Sequence, residues 1–132
     1  MWRISGLLCV SLVSVALAGC DPVLVREFRV TPAQVGTSTL EAKASPTLAA
    51  FDMSPFNTGG GGAFGFRRQW PNLATDRPGE ISVTFVPESS GDAWLIRFRQ
   101  WPVAHQTHFG ANVESALVDG LTHSGYKVVR SK

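Results

Sequence analysis

The strongest constraint on the fold is a pair of alternating runs, Ile81-Ser82-Val83-Thr84-Phe85 and Trp94-Leu95-Ile96-Arg97-Phe98-Arg99, joined through Pro87, Ser90, Gly91 and Asp92. A side-chain period of two puts Ile81, Val83 and Phe85 on one face of a strand, and Trp94, Ile96 and Phe98 on one face of the next. Two such runs about a polar turn make a β-hairpin. A third run, residues 63–70, alternates Phe64, Phe66 and Trp70 with Gly65, Arg67 and Gln69, and Pro71 ends it.

After the hairpin the period changes. Phe109, Val113, Ala116, Leu117, Gly120 and Leu121 fall at spacings of 4, 7, 8, 11 and 12, which is one face of a helix, with Glu114, Ser115, Asp119, Thr122 and His123 directed away. Thr107 is placed as N-cap, with Asn112 as the alternative, and Gly125 as the left-handed residue that ends the helix. Small Ala116 and Gly120 would let the helix lie close to the sheet. Residues 126–130 alternate again as a closing strand. These elements predict an α+β domain over residues 63–132, ordered β-β-β-α-β, with a small mixed or antiparallel sheet and one C-terminal amphipathic helix on a single face.

The part before residue 63 gives weaker signals. Residues 23–30, Val-Leu-Val-Arg-Glu-Phe-Arg-Val, are rich in β-branched and aromatic side chains and read as a strand. Residues 31–62 carry Thr-Pro, two Ser-Pro pairs and Gly59-Gly60-Gly61-Gly62, and read as an irregular Pro/Gly-rich arm with at most a short helical turn at 39–44 or 47–51. Phe51, Met53 and Phe56 are too apolar for a solvated linker, so the arm is expected to dock, on the domain or on a partner. The four glycines lack the Lys-Ser/Thr of a phosphate loop and read as a hinge.

At the N-terminus a short basic start, Met1-Trp2-Arg3, precedes an apolar run from Ile4 that closes on Leu17-Ala18-Gly19-Cys20. That run is shorter than the ~20 residues needed to span a bilayer and reads as an export signal. A cysteine directly after Leu-Ala-Gly closely resembles the processing site of bacterial lipoproteins. The resemblance implies a signal peptide at residues 1–19 with Leu17, Ala18 and Gly19 as recognition positions. It also implies Cys20 as a diacylglycerol- and palmitate-type lipid-bearing residue, and anchorage in the envelope facing the periplasm. Asp21 resembles the residue that retains lipoproteins in the inner membrane of enteric bacteria, so it leans inner, with the choice of membrane open. Residues 20–62 would then form the lipidated N-terminus and arm.

Removing residues 1–19 takes away Cys9 and Arg3, leaving 11 basic against 10 acidic side chains and Cys20 alone among cysteines. No disulfide and no cysteine metal site is available to such a chain. The balanced charge gives no reason to expect nucleic acid. His105 and His108 are three apart without a third ligand on a shared face, so surface histidines near a helix start are the plainer reading. Neither a Gly-x-Ser-x-Gly elbow, a Cys/His pair nor paired carboxylates appear, so catalytic residues, metal and cofactors other than the covalent lipid are not expected.

One set of residues invites a binding role. Arg67, Arg68, Trp70, Arg97, Arg99 and Trp101 interleave cations with indoles, an arrangement that can stack on bases or bind anionic lipid headgroups. The plainer alternative is a solvated sheet face whose arginine stems cover tryptophan. Arg-Gln-Trp-Pro occurs twice, at residues 68–71 and 99–102, but with different flanks, and reads as two similar strand ends rather than a duplication.

The stretch Phe109-Gly110-Ala111-Asn112-Val113-Glu114-Ser115-Ala116-Leu117, followed by Gly125-Tyr126-Lys127-Val128-Val129, is similar to the pattern of TrbH-type conjugal-transfer lipoproteins, with Val113 in place of Leu. The similarity covers about twenty residues and the Cys20 site. It implies an accessory of a mating-pair-formation, or type IV secretion, apparatus. The sequence thus predicts a membrane-anchored, non-enzymatic assembly lipoprotein with an envelope protein as partner, Phe51, Met53, Phe56, Arg97, Arg99 and Trp101 being contact candidates. The alternative is a small module that binds lipid or cell-wall ligand on an Arg/Trp-rich sheet face.

Overall fold

The computed structural model describes residues 22–31, 37–71, 79–89 and 93–131. Leu17, Ala18, Gly19, Cys20 and Asp21, and the centre of the turn at residues 90–92, lie outside the described residues. The elements are β1 (Leu24–Thr31), α1 (Thr37–Ala49), β2 (Ser54–Phe56), β3 (Phe64–Trp70), β4 (Gly79–Pro87), β5 (Trp94–Trp101), α2 (His108–His123) and β6 (Lys127–Arg130). The strands form one six-stranded antiparallel sheet in the order β2-β3-β4-β5-β1-β6.

The hairpin is β4–β5, with Val83 opposite Phe98 and Phe85 opposite Ile96. One sheet face carries Phe66, Ile81, Val83, Phe85, Ile96, Phe98, Phe28 and Val30, all buried against Leu40 and Leu48 of α1 and Val113, Leu117 and Leu121 of α2. Each such side chain contributes roughly 1.5–3 kcal/mol by leaving water. Aromatic pairing adds direction, Phe64 stacking on Phe85 with centroids 4.4 Å apart and Phe28 meeting Phe98 edge-on at 5.6 Å.

The α+β class and the C-terminal helix on one face agree with the sequence, but the element order does not. Residues 31–62 are not an irregular arm: they contain a thirteen-residue helix and an edge strand. Leu40, Ala44 and Leu48, at spacings of 4 and 8, have no exposed surface, and their burial outweighs the cost of Pro46 inside α1. The helix stops without glycine. Asp52 takes the left-handed conformation (φ 59°) while Met53 N–H donates to the Leu48 carbonyl and Asp52 N–H to the Ala49 carbonyl. Nor does residue 63 open a separate unit, because β1 lies between β5 and β6 in the same sheet. The glycines make the β2–β3 turn, Gly59 to Gly62 all having φ between 71° and 98°.

Helix α2 is capped as its sequence predicts. Thr107 Oγ1 accepts from Gly110 N–H at 3.0 Å, and at the other end Tyr126 N–H donates to the Leu121 carbonyl and Gly125 N–H to that of Thr122. The residue that brings the helix onto the sheet is Gly110, where a Cβ would overlap the Gln100 amide. Gly120 is exposed and lies instead beside Thr47 of α1, so it does not serve the sheet contact. Tyr126 is buried after the turn, and desolvation raises its phenol above the usual tyrosine value.

Candidate functional site

Antiparallel register aligns Leu24, Gln100, Ile81 and Arg68 in one row across β1, β5, β4 and β3. This row marks the end of the sheet where β1 begins, and it faces the helices. One step further out Trp70 is opposite Gly79, and a Cβ at Gly79 would overlap the indole, so glycine is what lets the ring lie across the sheet end. The first turn of α2 closes over this corner. Arg68, Trp70, Ile81, Gln100, Thr107 and Phe109 enclose a cleft of about 340 Å³.

One wall, formed by Gln100 and Thr107, is backed by a continuous polar chain. Thr107 Oγ1 donates to Gln100 Oε1 at 2.9 Å, Gln100 Nε2 to Gln106 Oε1 at 3.3 Å, and Gln106 Nε2 to Glu114 Oε2 at 3.3 Å. Glu114 in turn accepts from Nε and Nη2 of Arg26, at 2.7 and 2.8 Å, in a forked pair across β1 and α2. Each member satisfies the next, which fixes the Gln100 amide at the cleft floor. Gln100 is 3% exposed.

The opposite wall is aromatic. The Arg68 guanidinium lies 4.8 Å from the centroid of Phe109, and Phe51 meets Phe109 edge-on at 5.8 Å. Arg68 Nη1 donates to the Phe51 carbonyl at 3.4 Å, and among the described residues no carboxylate pairs with it. The cleft therefore offers a cation held on an aromatic ring, an amide and a hydroxyl, with apolar surface between them. That arrangement suits an anionic oxygen attached to an apolar body.

The structure distributes the sequence-derived candidates differently from the expectation. Met53 is buried in the core at 3% exposure, Phe51 packs on Phe109, and Phe56 is half-buried beneath Arg67 at 5.2 Å. They are docked on this domain. The Arg/Trp set does not share a face: Arg68 and Trp70 point toward the helices, whereas Arg67, Arg97, Arg99 and Trp101 lie on the other side. The two Arg-Gln-Trp-Pro copies are offset by one residue, Arg68 sharing a row with Gln100, and a one-residue offset reverses every side chain. On the open face Arg97 pairs with Glu27 at 3.3 Å and Arg67 with Glu80 at 3.7 Å, while Trp101 is only 4% exposed. His105 and His108 are exposed, and among the described residues no three His, Cys, Asp or Glu could hold a metal ion.

Sequence reasoning took Thr107 for a cap and Phe109 for core, and gave Gln100 no role. Their convergence depends on the cross-strand register, for which the local pattern carries no signal. No known protein family matches the chain, and no curated protein matches it. No described helix is long and apolar enough to cross a membrane.

Proposed function

We propose that this protein is a bacterial envelope lipoprotein, anchored through lipid on Cys20 and facing the periplasm, that works as a non-enzymatic binding or assembly component. The C-terminal similarity to TrbH-type proteins makes a conjugation or type IV secretion apparatus the favoured setting. The observation that carries the proposal is the short distance between the Cys20 site and the folded domain. Only Asp21, Pro22 and Val23 separate Cys20 from β1, a reach of at most ~14 Å. A lipid on Cys20 would hold the domain against the membrane surface.

The partner surface favoured by this geometry is the open face, where Arg97 and Arg99 are exposed beside Val25. Cys20→Ser should abolish incorporation of labelled palmitate and leave the precursor uncut; palmitate entering that variant overturns the anchor. Capture from solubilised membranes with intact protein and with Arg97→Glu/Arg99→Glu tests the face. Equal recovery of the same envelope proteins removes it from the contact. The second reading, a module for lipid or cell-wall ligand, is favoured by the Arg68 cleft.

A further inference from the structure

The cleft lies at the end of the sheet where β1 begins, four residues after Cys20 in the chain. Leu24, the first residue of β1, shares its row with Gln100, Ile81 and Arg68. With strands ~4.8 Å apart, Arg68 stands about three spacings, roughly 14 Å, from the point where the chain arrives from Cys20. The other end of β1, where Val30 is opposite Trp94, is roughly 20 Å further along the strand. A lipid on Cys20 would turn the cleft end toward the bilayer.

We propose that the cleft binds the headgroup of an anionic phospholipid in the membrane that holds the anchor, a proposal that rests on the lipid-anchor reading. Arg68 receives the phosphate, because its guanidinium is fixed over Phe109 and has no carboxylate partner among the described residues. Thr107 and Gln100 bring hydroxyl and amide groups to the glycerol side. Trp70, 36% exposed at the mouth, and Ile81 and Phe109 line the path of the first methylenes. Tryptophan at such a position favours the boundary between headgroups and hydrocarbon. At about 340 Å³ the cleft accepts a headgroup and its neighbouring carbons, leaving the acyl chains in the bilayer. A soluble anion would leave the apolar walls uncovered, which is why the lipid is favoured over free phosphate.

The test uses the full protein isolated from membranes in detergent, with the intact mass showing whether Cys20 carries acyl chains. Native mass spectrometry then compares retention of phosphatidylglycerol with phosphatidylcholine of the same chains. Phosphatidylglycerol should be preferred. Arg68→Gln should weaken its retention roughly fivefold, Arg68→Lys should keep most of it, and Lys43→Gln, on the exposed side of α1 and outside the cleft, should leave it unchanged. If Arg68→Gln folds poorly, Trp70→Leu is the second variant and should lower retention with the guanidinium intact. Equal retention of the two lipids, or loss with Lys43→Gln in place of Arg68→Gln, overturns the proposal. Displacement by equimolar glycerol phosphate also overturns it in favour of a soluble ligand. An unmodified Cys20 overturns the anchor reading by itself, while the lipid comparison still decides the cleft.

Discussion

Gly110→Ala tests how closely α2 lies on the sheet. The added Cβ would overlap Gln100 Nε2 and stand 2.7 Å from Cδ and 3.0 Å from Oε1 of the same side chain. An exposed glutamine would swing away at little cost, but Gln100 is buried and tied to Thr107 and Gln106. Displacing it loses two hydrogen bonds at ~1 kcal/mol each and adds overpacking of ~1–3 kcal/mol. Against this, replacing a helical glycine gains up to ~1 kcal/mol. The net expectation is a loss of ~2–4 kcal/mol, a fall in Tm of roughly 8–16 °C for a domain of this size. Thermal and urea denaturation of the detergent-solubilised protein measure it. Gln100→Ala should relieve the overlap, so the double variant should show a coupling of ~1–3 kcal/mol. A Gly110→Ala protein as stable as the parent, or more stable, would refute the close approach.

Leu117→Ala should cost ~2–5 kcal/mol, since Leu117 is 1% exposed in the core; an unchanged Tm would show that α2 is not docked. Glu114→Gln should cost about 1.5–3 kcal/mol by weakening the forked pair with Arg26, whose side chains are 23% and 12% exposed, and Arg26→Met in that background should cost less than in the parent. Asp52→Gly should stabilise by up to ~1 kcal/mol by relieving its left-handed conformation, and a fall in Tm would reject that assignment. Burial raises the Tyr126 phenol above 10.0, so its contribution is complete below that pH and is lost as pH rises through the folded value. Urea titrations should show stability falling above pH 10.0 in the parent and less steeply in Tyr126→Phe.

What could be read in the sequence was whatever a local period encodes. The alternation of Ile81, Val83 and Phe85 with Trp94, Ile96 and Phe98 specifies the hairpin, and Thr107 with Gly125 brackets α2, because caps and turns are made by neighbours in the chain. Helix α1 was missed for a physical reason. Pro46 and the absence of a terminal glycine mask it, and only tertiary burial of Leu40, Ala44 and Leu48 secures it. The cleft was hidden more deeply. Which of Arg68 and Arg99 faces the helices follows from a register set between strands, so two identical tetrapeptides end on opposite faces.

The place of β1 bears on biogenesis. Among the described residues it is the first strand in the chain and an interior one in the sheet, yet both its neighbours come from the far end of the chain: Glu27 pairs with Arg97, 70 residues on, and its carbonyl accepts from Ser131 N–H. Until synthesis delivers residues 94–130, β1 has two bare hydrogen-bonding edges and nothing to sit between. Closing so long a loop slows folding, and an unfinished chain exposes an aggregation-prone template. A deletion that removes only β6 should therefore leave one edge of β1 open and the product prone to proteolysis.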